Sequence, residues 1–160
     1  MADFSELPLG MRMQLALYPW RRIDPVPWTP MRVPLASARV ALVTSAGMYR
    51  VGIDAPFAPV RGGDSSYRLI PDDTATQDLV VGQVSHAFDR GPAERDPNIA
   101  FPLDRLHEMV ADGTIGHAAP RHVSINGSIT APGRLVRDTA PRIAAELRDD
   151  GVDVALLVPI

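Results

Sequence analysis

The strongest constraint on the fold is a strand, a helix and a second strand read in succession from residue 121 to residue 158. Arg121–Ile125 is a β-type run closed by Asn126-Gly127. Leu135, Val136, Thr139, Ala140, Ile143, Ala144 and Leu147 then fall on one stripe of a 3.6-residue period, predicting a helix over 134–149. Pro141 lies inside that stripe, where a missing N–H must kink or restart the helix. Residues 152–158, Val-Asp-Val-Ala-Leu-Leu-Val, form the most hydrophobic strand. A strand, a crossover helix and a further strand make a parallel unit with a right-handed connection. The expected class is α/β, with a mainly parallel sheet and flanking helices, Rossmann-like or flavodoxin-like.

The rest of the chain extends that sheet. Arg39–Thr44 is a near-continuous apolar run of the kind covered on both faces, and it ends at Ser45-Ala46-Gly47. Shorter strands are expected at 66–70 and 79–84, with polar loops at 52–66 and 91–98. Pro102 stands at a first helical position, apolar residues follow at helical spacing, and Gly113 sits where a C-cap glycine belongs, giving a helix over 103–112. Six prolines precede residue 35, so beyond one short helix at 11–18 the beginning of the chain reads as a Pro-rich arm. The expected division is an arm at 1–38 and an α/β domain at 39–160. Trp20 and Trp28 of the arm are expected to pack on the domain, the alternative being an aromatic ligand platform.

Composition then removes whole classes of chemistry. The 160 residues are 46% apolar and 22% charged, the balance of a soluble globular domain. All 16 basic residues are Arg; with no Lys, neither a Schiff base nor a P-loop lysine can form. The net charge of -3 and the lack of a basic block argue against nucleic acid. With no Cys there is no thiolate nucleophile and no disulfide. No signal pattern and no run of about 20 apolar residues is present, so a cytoplasmic location without membrane contact is expected.

Candidate site residues cluster where an α/β sheet places ligands. Ser45 ends one strand, and Asn126, followed by Gly127-Ser128, ends another, where backbone amides can meet a carboxylate; a plain turn is the alternative. His86 and Asp89, with Asp96 close behind, form a candidate cluster for a substrate ammonium or proton transfer, the alternative being turn hydrogen bonds and a surface histidine. Their spacing fits no metal. His107 and His117 are expected to be solvated.

The last strand runs to Pro159-Ile160, where such a sheet should open a loop, and this suggests a truncated reading frame. The segment from Asp150 to Pro159 resembles the stretch preceding the redox-active residue of the selenoprotein B family, the substrate-specific components of glycine, sarcosine and betaine reductase and the related D-proline reductase. Ser85-His86-Ala87-Phe88-Asp89, Asp96-Pro97-Asn98, Phe101 to Leu106, Gly113-Thr114-Ile115-Gly116, Ala119-Pro120-Arg121-His122 and Asn126-Gly127-Ser128 are similar too. The resemblance implies a selenocysteine, or in some members a cysteine, directly after Ile160. It also implies reductive cleavage of a carbon–nitrogen bond in a small amino acid or amine, with electrons from a dithiol reductant such as thioredoxin. A pyruvoyl group would belong to a partner subunit, the chain itself carrying no cofactor. Without selenol or thiol, the 160 residues alone are expected to be inactive. The rival reading is a non-catalytic α/β binding or interaction module.

Overall fold

The structure, a computed structural model, describes residues 4–18, 22–83, 85 and 88–160. It divides into two units, Met1–Pro30 and Met31–Ile160. In the first, helix α1 covers Leu9–Leu17. Trp28 is 84% exposed rather than packed, and Trp20 lies outside the described residues.

The second unit is built on a five-stranded sheet. Its strands are β1 (Arg39–Thr44), β3 (Tyr67–Pro71), β5 (His117–Ala118), β6 (Arg121–Ile125) and β7 (Val154–Val158). β1 pairs in parallel with β5, β6 and β7, while β3 pairs antiparallel with β6. The short strands β2 (Met48–Arg50) and β4 (Leu79–Val81) form a separate antiparallel pair. The sheet is therefore mostly parallel, with one antiparallel edge.

Helices cover both faces. α2 (Gly91–Arg95) and α3 (Leu103–Ala111) lie on one side, where Ala93, Phe101, Leu103 and Leu106 pack with Val40, Leu42, Met48 and Ile70. Burial of Leu103 and Leu106 stabilises by about 1.5–3 kcal/mol each. α4 (Ala140–Asp149) covers the other face, with Ile143 and Leu147 against Ala41 and Val123. Pro141 sits in its first turn, immediately after a π-helical turn at Leu135–Thr139. The backbone stays helical from 133 to 149, with a π-turn rather than a break before the proline.

Two expectations change. The polar stretch expected as a loop at 91–98 contains α2 and a 3-10 turn at Pro97–Ile99, because Pro92 suits a first helical turn and Asp89 accepts from the Gly91 amide at 3.0 Å. The strand expected at 79–84 ends at Val81, and Gly82 and Gln83 lie outside it. The last strand is half uncovered: Leu157 is 68% exposed. Among the described strands β7 pairs only with β1, so it is an edge.

Between β1 and β6 the backbone ladder is interrupted, and a side chain fills the gap. The Val40 carbonyl accepts from the Ala119 amide at 2.9 Å, but the next residue, Pro120, has no N–H. One step on, the Leu42 amide donates to Nδ1 of the fully buried His122 at 3.0 Å. That bond fixes the tautomer: Nδ1 is the acceptor, so Nε2 carries the proton and donates to Asp72 at 3.0 Å. The same Asp72 oxygen takes His107 Nε2 at 2.7 Å, so His107 is paired rather than merely solvated. Phe101 meets the His122 ring edge-on at 5.9 Å.

Burial holds the His122 pKa below the ordinary imidazole value, against the opposing pull of Asp72. The folded pKa lies below the unfolded one, so the unfolded chain takes the proton first. This contribution to stability is complete above about pH 6.5 and is lost as pH falls through that value towards the folded pKa. Urea unfolding should show falling stability between about pH 7 and about pH 5. His122→Phe should flatten that slope and cost about 1–3 kcal/mol at neutral pH, because the buried Leu42 amide loses its acceptor.

Candidate functional site

In parallel strands the carboxyl ends meet at one edge, and β1, β6 and β7 deliver Ser45, Asn126 and Ile160 there. At the end of β1, Thr44 turns the chain: its hydroxyl donates to the Ala100 carbonyl at 2.7 Å and accepts from the Ala46 amide at 3.1 Å. The Ser45 amide continues the ladder to the Val158 carbonyl at 3.1 Å. Its hydroxyl accepts from the Ile160 amide at 2.9 Å and donates to the Ile160 carbonyl at 3.2 Å. Ser45 therefore clamps the chain beyond β7 onto the end of β1.

Asn126 bridges to Ala46 through the backbone and is 1% exposed. Among the described residues neither its Oδ1 nor its Nδ2 has a hydrogen-bond partner. A buried, unsatisfied amide costs about 1–3 kcal/mol. Gly127 follows with no room for a side chain: a Cβ there would stand 3.0 Å from the Ser45 carbonyl oxygen and 3.3 Å from that of Ile160, and against the Gln83 amide.

Gln83, which carried no signal in the sequence, is the third wall. It is 2% exposed, its Nε2 donates to the Ser45 carbonyl at 3.2 Å and its Oε1 accepts from the Ser85 amide at 3.2 Å. Its backbone carbonyl accepts from Arg90. Only tertiary contact reveals it, since a lone Gln after a short strand has no distinguishing spacing.

The other candidates are placed less centrally. His86 lies outside the described residues. Asp89 is exposed and bonded to the Gly91 amide, the local turn bond that was the alternative reading. Asp96 accepts from the amide of Asn98 at 3.0 Å. Asn98 in turn exchanges bonds with Asp104, at 2.8 Å to its carboxylate and 3.0 Å from its amide. Bonds from Asn98 and Thr76 hold the Asp104 carboxyl below the usual carboxylate value despite partial burial. This motif caps α3. His117 is exposed. The His107–Asp72–His122 cluster lies at the other end of β6, because Asp72 follows the Pro71–Arg121 pairing. Among the described residues no group of three or more His, Asp or Glu could hold a metal, and no helix is long and apolar enough to cross a membrane.

Comparison with known proteins agrees with the resemblance. Residues 14–159 match the family described as glycine/sarcosine/betaine reductase selenoprotein B. D-proline reductase subunit gamma of Acetoanaerobium sticklandii is 36% identical over 154 residues, covering 96% of this chain and 61% of that protein. The sarcosine reductase complex component B subunit beta of Peptoclostridium acidaminophilum is 28% identical over 88% of this chain and 32% of its own length. The glycine reductase complex component B subunit gamma of Carboxydothermus hydrogenoformans is 30% identical over 87% of this chain and 32% of its own. The chain thus spans less than two thirds of these curated relatives, and no solved structure matches it. With the strand end at Ser45, the Asn126-Gly127 turn and the last strand all inside the matched region, the chain belongs to the glycine/sarcosine/betaine reductase selenoprotein B family.

Proposed function

We propose that the chain supplies the substrate-facing sheet edge of a cytoplasmic amino-acid or amine reductase, of the glycine, sarcosine, betaine or D-proline type. The observation that carries this reading is the orphaned, buried amide of Asn126 beside the Ser45–Ile160 clamp, at the edge where α/β folds bind ligands. Family membership supports the reaction class. Asn126 offers both a donor and an acceptor, and so can hold a substrate carboxylate or ammonium. Ser45 acts as a positioning residue, fixing the direction in which the chain leaves Ile160.

On this reading a selenocysteine or cysteine follows Ile160 directly. Its anion is the reactive form, and a thiol reacts in proportion to its thiolate. The cleavage converts a carbon–nitrogen bond into a carbon–hydrogen bond and releases the amine. For an ammonium substrate this takes two electrons and two protons, both supplied by a dithiol that leaves as the disulfide; thioredoxin is the expected reductant. A partner subunit carrying a pyruvoyl group completes the reading.

Two experiments test it. In the assembled reductase, Asn126→Leu should lower kcat/KM about ten- to a hundredfold, the loss of one hydrogen bond to a charged group. Resistance to urea should stay equal or rise, because an unpaired buried amide has been removed. Full activity in the variant contradicts the assignment of Asn126. Separately, the codon after Ile160 should be an in-frame UGA followed by continued coding with a nearby Cys; an ordinary stop followed by noncoding sequence contradicts the redox placement.

A further inference from the structure

A second concave site opens beside the carboxyl end of β6. Because β3 runs antiparallel to β6, with Tyr67 opposite Ile125, the loop before β3 lies against the segment that follows β6. Residues 60–65 and 131–137 form the two walls of a cavity of about 570 Å³. The walls are joined firmly. The Ala131 amide donates to the Gly62 carbonyl at 3.0 Å, and the Thr139 hydroxyl donates to the Ser65 carbonyl at 2.7 Å. Gly63, with φ of +97°, lies so close to Ile129 that a Cβ would stand 2.7 Å from its Cα. Only glycine allows that approach and that backbone.

The lining is cationic. Arg61 stands on the loop wall, and Arg134 and Arg137 stand on the helical wall. Among the described residues none of the three forms an ion pair, whereas Arg50, Arg105 and Arg121 each pair with a carboxylate. Among the described residues neither of the acids close by pairs with them. Asp64 is turned to the Ala58 and Ser66 amides, at 2.8 Å each. Asp138 lines the neighbouring hollow with Arg134 and Arg142 and, among the described residues, makes no ion pair with either. Three like charges around one cavity repel one another until a counter-charge enters. The helical wall opens as a π-turn, Leu135–Thr139, a rare geometry that recurs at functional sites.

We infer that this cavity binds an oxyanion, a carboxylate or phosphate group, between Arg61 on one wall and Arg134 and Arg137 on the other. Guanidinium forks match the paired oxygens of both groups. The inference stands on the cavity and its charges, and it holds or fails independently of the reductase reading.

Calorimetric titration of the 160-residue chain, at fixed ionic strength in chloride, tests it with inorganic phosphate in one arm and malonate in the other. At least one should bind saturably, and the arm that saturates identifies the oxyanion. Binding should weaken about tenfold or more in the Arg134→Gln/Arg137→Gln double variant and in Arg61→Gln, each losing charge-assisted bonds. It should be unchanged in Arg148→Gln, an exposed arginine in the last turn of α4. If the double variant fails to fold, Arg61→Gln gives the same reading from the opposite wall. Failure of both anions to saturate, equal loss in Arg148→Gln, or wild-type binding in the cavity variants overturns the inference.

Discussion

The hydrogen bond from the Leu42 amide to His122 Nδ1 is the interaction on which the geometry of the sheet depends. A parallel sheet needs a partner for every buried amide, and Pro120 removes the regular continuity between β5 and β6. Without the imidazole, β1 would carry an orphaned N–H at the fully buried Leu42. With it, the strand stays paired on both sides: to β7 from Val40 to Thr44, and to the β5–β6 segment in two short stretches bridged by a side chain. Desolvation favours the neutral ring that this bond requires, so burial and hydrogen bonding act in the same direction.

From that junction the carboxyl edge of the sheet follows. Past His122, β6 regains its register with β1 at Val123 and Ser124, and so reaches Asn126 level with Ala46. On the other side, β7 stays in register to Val158, and the Ser45 hydroxyl seizes Ile160 by both backbone groups. Gly127 permits the close approach of these segments. Among the described residues the Asn126 amide is left buried and unpaired there, as is the Ser124 hydroxyl two residues earlier on β6. The connection after β6 then forms a wall of the arginine-lined cavity before the helix begins, so both proposed sites arise from one strand end.

How much of this was legible follows from the kind of signal each part emits. Continuous apolar runs and the 3.6-residue stripe announce β1, β6, β7, α3 and the helix that contains Pro141, because burial on a face imposes a period on sequence. The strand ends at Ser45 and Asn126 were legible for the same reason, and parallel topology alone brings them together. Helix α2 was missed because five polar and small residues carry no apolar stripe. The pairing of His122 with both Leu42 and Asp72, and the roles of Gln83 and of His107, depend on residues 35 to 80 positions away, where no local pattern reports them.

The most direct test of this account is the nitrogen-15 spectrum of the His122 ring in the 160-residue chain. The account predicts an unprotonated Nδ1 sharing the Leu42 amide proton and a protonated Nε2, with the pattern persisting below about pH 6.5, where a free imidazole begins to take a second proton. A protonated Nδ1 at neutral pH, or titration like that of a solvent-exposed histidine, would contradict it.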